Sequence, residues 1–86
     1  MKTLLILQEV DDVDRWLTSP RRHEVFGPLG ITSRAFVDDA RSGRVGLVVE
    51  TPSRAAFEEA MRAPGATDAM EADGVRPDTS VVLTER

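Results

Sequence analysis

Leu4-Leu5-Ile6-Leu7 limits what this chain can become more than any other stretch of it. Four large aliphatic side chains stand in a row at strand length, and a strand sends alternate side chains to opposite faces, so this one needs cover above and below. The chain has 86 residues with which to supply it. That length builds one small core, and residues 1–86 are expected to form a single domain. Cores of this size end with a margin of only a few kcal/mol. The chain has no cysteine, which removes disulfide stapling, Cys-ligated zinc and thiol catalysis. Oligomerisation is the support that remains.

The N-terminus, Met1-Lys2-Thr3 before the apolar run, has the outline of an export signal. The run is shorter than the roughly 7 to 15 residues of a signal core, and Glu9, Asp11 and Asp12 follow without a small-residue cleavage site. The segment reads as a buried strand of a cytoplasmic protein, with no membrane partner. A formal net charge of −4, with the arginines scattered along the chain, argues against nucleic acid, which needs a clustered basic surface.

From Asp11 the period changes. Val13, Trp16 and Leu17 fall at i, i+3 and i+4 behind an Asp11 or Asp12 cap, which predicts a short amphipathic helix. Ser19-Pro20 starts a second helix running through Phe26, which Gly27-Pro28 should end. Ile31 to Asp38 and Arg44 to Glu50 alternate as strands across a short turn-rich link, a hairpin. Pairing Asp38 with Arg44 sets Val37 against Val45, Ala35 against Leu47, and Phe36 across from Gly46, where the ring shields bare backbone. Thr32, Arg34, Phe36, Gly46, Val48 and Glu50 then share the other face. Thr51-Pro52-Ser53 starts a third helix with an Ala56, Phe57, Ala60, Met61 stripe, broken at Pro64-Gly65. A further helix is expected from about Thr67 to Asp73, with Gly74 left-handed, and a last strand over Ser80 to Thr84.

The order is strand, helix, strand, strand, helix, strand. It predicts an α+β, ferredoxin-like βαββαβ sandwich, a four-stranded antiparallel sheet with helices on one face. The other face would be bare. Leu4 to Leu7, Phe36, Val48 and Val82 are expected to make it too apolar for a monomer, so two copies should pack sheet toward sheet as a homodimer.

In this order and apolar pattern the chain resembles the dimeric α+β barrel superfamily, and Trp16-Leu17-Thr18-Ser19-Pro20-Arg21-Arg22-His23-Glu24-Val25-Phe26 is similar to the segment after the first strand in small members. The resemblance implies a cavity between sheet and helices used for small organic molecules. It also implies a choice of chemistries, among them cofactor-free monooxygenation, isomerisation, cyclisation, decarboxylation and haem handling. The chain contains neither asparagine nor tyrosine, so the Asn, Trp and His constellation of the quinone-forming and haem-degrading members cannot be assembled.

Candidate site residues follow from chemistry. His23 is the one side chain whose unperturbed pKa lies near neutrality, and so the candidate general base, against a plain surface histidine. Arg34 beside Phe36 could hold a carboxylate, phenolate or enolate, against an ion pair with Glu50 or an acid across the dimer. Trp16 reads as a core anchor, and Arg21, Arg22 and Arg76 as solvated charge or an anion patch. One histidine without cysteine is poor support for a metal site, and helix capping accounts for Asp11, Asp12 and Asp14. No phosphate loop, nucleophile elbow or paired-acid motif is present. The reading is a homodimer that binds a small organic molecule in a pocket lined by Gln8, Arg34, Phe36 and Val48, with no cofactor and no metal. Its candidate chemistry is isomerisation or cyclisation by proton transfer, with His23 and Arg34 as catalytic pair. The alternatives are a non-catalytic binding or assembly module, and a monooxygenase or haem-handling protein.

Overall fold

Strand alternation divides the first strand into two sets with different fates. In the computed structural model, which describes all residues from Met1 to Arg86, β1 (Lys2–Val10) turns Leu4, Ile6, Gln8 and Val10 toward the helices and buries them. Leu5 and Leu7 point to the opposite side. Both neighbours of β1 are antiparallel to it, β3 (Arg44–Thr51) on one flank and β4 (Val75–Thr84) on the other. β2 (Thr32–Val37) pairs with the outer edge of β3, giving the sheet order β2-β3-β1-β4. Each helical connection thus steps over one strand, the ferredoxin-like arrangement of the α+β class.

Local chemistry accounts for the helices. The Asp12 side chain accepts from the Arg15 backbone N–H at 3.1 Å and starts α1 (Val13–Thr18), with Trp16 turned into the core. Ser19 Oγ accepts from the Arg21 N–H at the start of α2 (Arg21–Phe26). Ser53 caps α3 (Arg54–Arg62) through the Ala56 N–H, and the helix buries Phe57 and Ala60 as the sequence stripe requires. The hairpin register is the one read from the sequence, with Val37 opposite Val45, Phe36 opposite Gly46, and the Asp38 N–H bonded to the Arg44 carbonyl.

Several boundaries and one face differ from expectation. Gly27 does not end α2: it stays helical at φ −53°, a 3-10 turn runs on over Gly27–Leu29, and Gly30 at φ 71° is the left-handed terminator. Pro28 is tolerated because the first turn of a helix has no use for its missing N–H. For the same reason α4 (Pro64–Ala72) starts at Pro64 rather than near Thr67. β4 begins at Val75, well before Ser80. It is an edge strand, where Pro77 disrupts little. The ladder shifts between Leu7 and Glu9, and there Thr79 Oγ1 takes the Glu9 N–H at 2.9 Å. Val82, expected on the bare face, lies opposite Ile6 and shares its helix-side orientation, while Val81 and Leu83 take the bare face opposite Leu7 and Leu5. No helix is long and apolar enough to cross a membrane.

Candidate functional site

Between the sheet and its helices lies a cavity of about 430 Å³. Its floor is made by the helix-side residues Ile6, Gln8, Leu47 and Val82, and its roof by α2, α3 and α4. The space exists because α4 lays Ala66 and Ala69 over it, where larger side chains would have filled the gap. Phe26 and Phe57, with ring centroids 6.4 Å apart and tilted by 37°, line the wall. Trp16 lines it too, buried to 1% exposure and so fixed in place.

Charge enters this apolar wall through α2. Arg22, Val25 and Phe26 fall at i, i+3 and i+4, so the guanidinium sits on the helix face that also carries the apolar contacts. Its central carbon lies 4.5 Å from the centroid of the Trp16 ring, a cation–π arrangement. Its Nε and one terminal nitrogen are buried and find no hydrogen-bond partner in the protein. Burial holds the Arg22 pKa below its ordinary value, an effect that the negative charge of Asp73 partly offsets. Asp73 is itself buried, and its Oδ1 accepts from an Arg21 terminal nitrogen at 3.2 Å. Across the cavity the Ser80 hydroxyl is also buried without a partner.

The residues singled out from the sequence separate between three places. Gln8 is in the cavity floor, 8% exposed. Arg34, Phe36 and Val48 stand together on the opposite face of the sheet, Arg34 directly across from Val48. Strand parity forces this division: Gln8 lies opposite Val45 on β3, whereas Val48 belongs to the other parity. Arg34 is exposed and forms no ion pair within the chain, with Glu50 or any other acid. His23 is exposed on α2 and is not part of the cavity wall. One protomer therefore does not bring His23 and Arg34 to a common point. Of the acidic residues near the N-terminus, Asp11 accepts from Arg76 Nε at 2.8 Å and Asp12 caps α1.

Sequence reasoning placed Arg22 among surface charges and did not single out Asp73 or Ser80. For Arg22 a signal toward the cavity was available, since an arginine three and four residues before Val25 and Phe26 lies on an apolar helix face. Asp73 and Ser80 gave none, because only the tertiary fold carries Asp73 to α2 and Ser80 to the cavity wall.

The sequence matches no protein-family model and no curated protein. Solved structures do match over the whole chain. An antibiotic biosynthesis monooxygenase superposes with a TM-score of 0.67 at 17% identity, covering 100% of this chain and 97% of that one. A Deinococcus radiodurans protein provisionally given the same name reaches 0.64 at 13% identity, covering 100% and 91%. A Mycobacterium tuberculosis protein reaches 0.60 at 13% identity, covering 100% and 94%. The four-stranded, ferredoxin-like α+β fold of this chain is thus the fold of these structures.

Proposed function

We propose that this chain is a cytoplasmic homodimeric protein that binds a small organic molecule inside each protomer, between the sheet and the helices. The observation that carries the reading is the cavity itself, about 430 Å³ in volume and walled mostly by apolar and aromatic side chains. Pockets that take small molecules have this size and this balance of apolar wall to few polar groups. Its position in the protomer differs from the sheet face that Arg34 and Phe36 mark. That face is better suited to contact with a second copy, since Leu5, Phe36, Val81 and Leu83 are exposed on it.

The test fills the space. Ala69→Phe should project a ring into the cavity without opening a void elsewhere. A library of small aromatic and alicyclic compounds, screened by thermal unfolding, should contain members that stabilise the native chain. A ligand at a hundred times its dissociation constant adds about 2.7 kcal/mol. The same compounds should leave Ala69→Phe unmoved. Compounds that stabilise both chains equally would place binding outside the cavity and remove the reading.

Oxygenation is the second reading, favoured by the name shared by two of the structural neighbours and by the stacked Trp16 and Arg22 in the cavity wall. Arg22 would hold an ionised oxygen of the substrate against the apolar wall. Oxygen uptake with polyphenolic substrates, lost in Arg22→Gln, is the expected result; no uptake with any of them leaves the binding role alone. Isomerisation or cyclisation draws less support, because His23, the base that it called for, is outside the cavity wall.

A further inference from the structure

The cavity wall contains two acidic side chains and two buried polar groups with nothing to bind. Glu58 accepts from Arg54 Nε at 3.1 Å, and Asp73 accepts from Arg21 at 3.2 Å. Both carboxylates are therefore engaged by arginines other than Arg22. No carboxylate comes within ion-pair distance of Arg22. Its guanidinium carbon lies over the Trp16 ring, and its Nε and one terminal nitrogen are buried without an acceptor. An arginine so placed is costly to the fold: its burial depresses its pKa, and its buried N–H donors go unmet. Ser80 repeats the pattern on the sheet side, as a buried hydroxyl without a partner on the wall of the same cavity.

Resting on the reading that the cavity binds a small molecule, we propose that Arg22 and Ser80 form a two-point polar site that selects an apolar organic acid. The acid presents a carboxylate or phenolate to the free guanidinium edge and a second oxygen, hydroxyl or carbonyl, to Ser80. Inorganic anions are disfavoured by the largely apolar remainder of the wall, where Phe26, Phe57 and Met61 outweigh the two further donors, Gln8 and Arg62. Neutral hydrocarbons fit the wall but leave the guanidinium unmet. An aryl or alicyclic acid satisfies both.

The experiment pairs charge with isosteric neutrality. Benzoate and 2-naphthoate are titrated by calorimetry against benzamide and 2-naphthamide, while the indole N–H signal of Trp16, the single tryptophan, reports by NMR whether the probe has entered the cavity. The native chain should bind at least one acid about tenfold more tightly than its amide, as one charge-assisted hydrogen bond provides. Arg22→Gln should abolish that preference, leaving the amide's affinity within about twofold, and Arg22→Lys should restore part of it. Among mono-hydroxylated 2-naphthoates, at least one should bind more tightly than its parent, and Ser80→Ala should erase that gain. Equal affinity for acid and amide, with the Trp16 signal moving for both, would overturn the anion site while leaving the cavity as a binding site. A Trp16 signal that moves for no probe would overturn both. If no hydroxylated acid gains over its parent, Ser80 has no part in recognition.

Discussion

At the scale of the residue, the molecule spends stability on Arg22. Its guanidinium is partly desolvated, with two nitrogens buried and unpaired, and is compensated by the Trp16 ring and by the field of Asp73. A methionine in its place would keep the stem's packing against Trp16 without the charge. Arg22→Met is therefore expected to raise stability by about 1 kcal/mol in urea unfolding, after the lost cation–π contact is subtracted. Asp73→Asn should lower it, because the Arg21 bridge and the charge facing Arg22 disappear together. In the Arg22→Met background the same change should cost less, a coupling of at least about 0.5 kcal/mol. Strict additivity would show that the two side chains do not sense each other. The pH profile follows the same sign: a base whose pKa is depressed by folding destabilises the native state throughout the range where it is charged. That cost is fully present at neutral pH and is relieved only as pH rises through the lowered folded value toward the unfolded one.

At the scale of the element, β1 shows why one substitution can be ruinous and its neighbour harmless to the fold. Leu4 is fully buried under the helices, whereas Leu5, one residue on, is 37% exposed on the other face. Leu4→Glu should abolish cooperative unfolding, since a carboxylate would enter the core with no partner. Leu5→Glu should leave the circular dichroism of the protomer intact, and equal damage from the two would contradict the register. The hairpin, unlike this division of β1, was legible in the chain: its register around Phe36 and Gly46, and the helix starts at Asp11-Asp12 and at Thr51-Pro52-Ser53, follow from period and local chemistry alone. What escaped was set by longer range. Val82 and Gln8 lie on the side of the sheet opposite to the one expected, because a run apolar on both faces carries no phase, and only the pairing of Gln8 with Val45 and of Val82 with Ile6 supplies one. The cavity was hidden for a similar reason. Ala66 and Ala69 read as ordinary helix formers, and the space they leave exists only once α4 lies over the sheet.

At the scale of the whole molecule, the bare side of the sheet decides the assembly. Leu5, Phe36, Val81 and Leu83 are all more than a third exposed there, Phe36 by half, and they span three of the four strands from β2 to β4. A contiguous aliphatic and aromatic surface of that breadth on so small a chain is expected to be covered, and a second copy brings an identical apolar surface to it. Arg34, without an acid paired to it in its own chain, lies on the same face as Glu50 of the neighbouring strand. Sedimentation velocity at micromolar concentration should accordingly show a dimer for the native chain. Phe36→Glu should give a monomer, because it replaces the half-exposed aromatic ring of that face with a charge that association would have to desolvate. The cavity is on the far side of the sheet, so in that monomer the Trp16 indole signal should stay where it is, and acid binding with it. A native chain that sediments as a monomer would remove the second copy. A Phe36→Glu monomer whose Trp16 signal collapses would show instead that the two faces are not independent, and that the ligand site is completed only in the dimer.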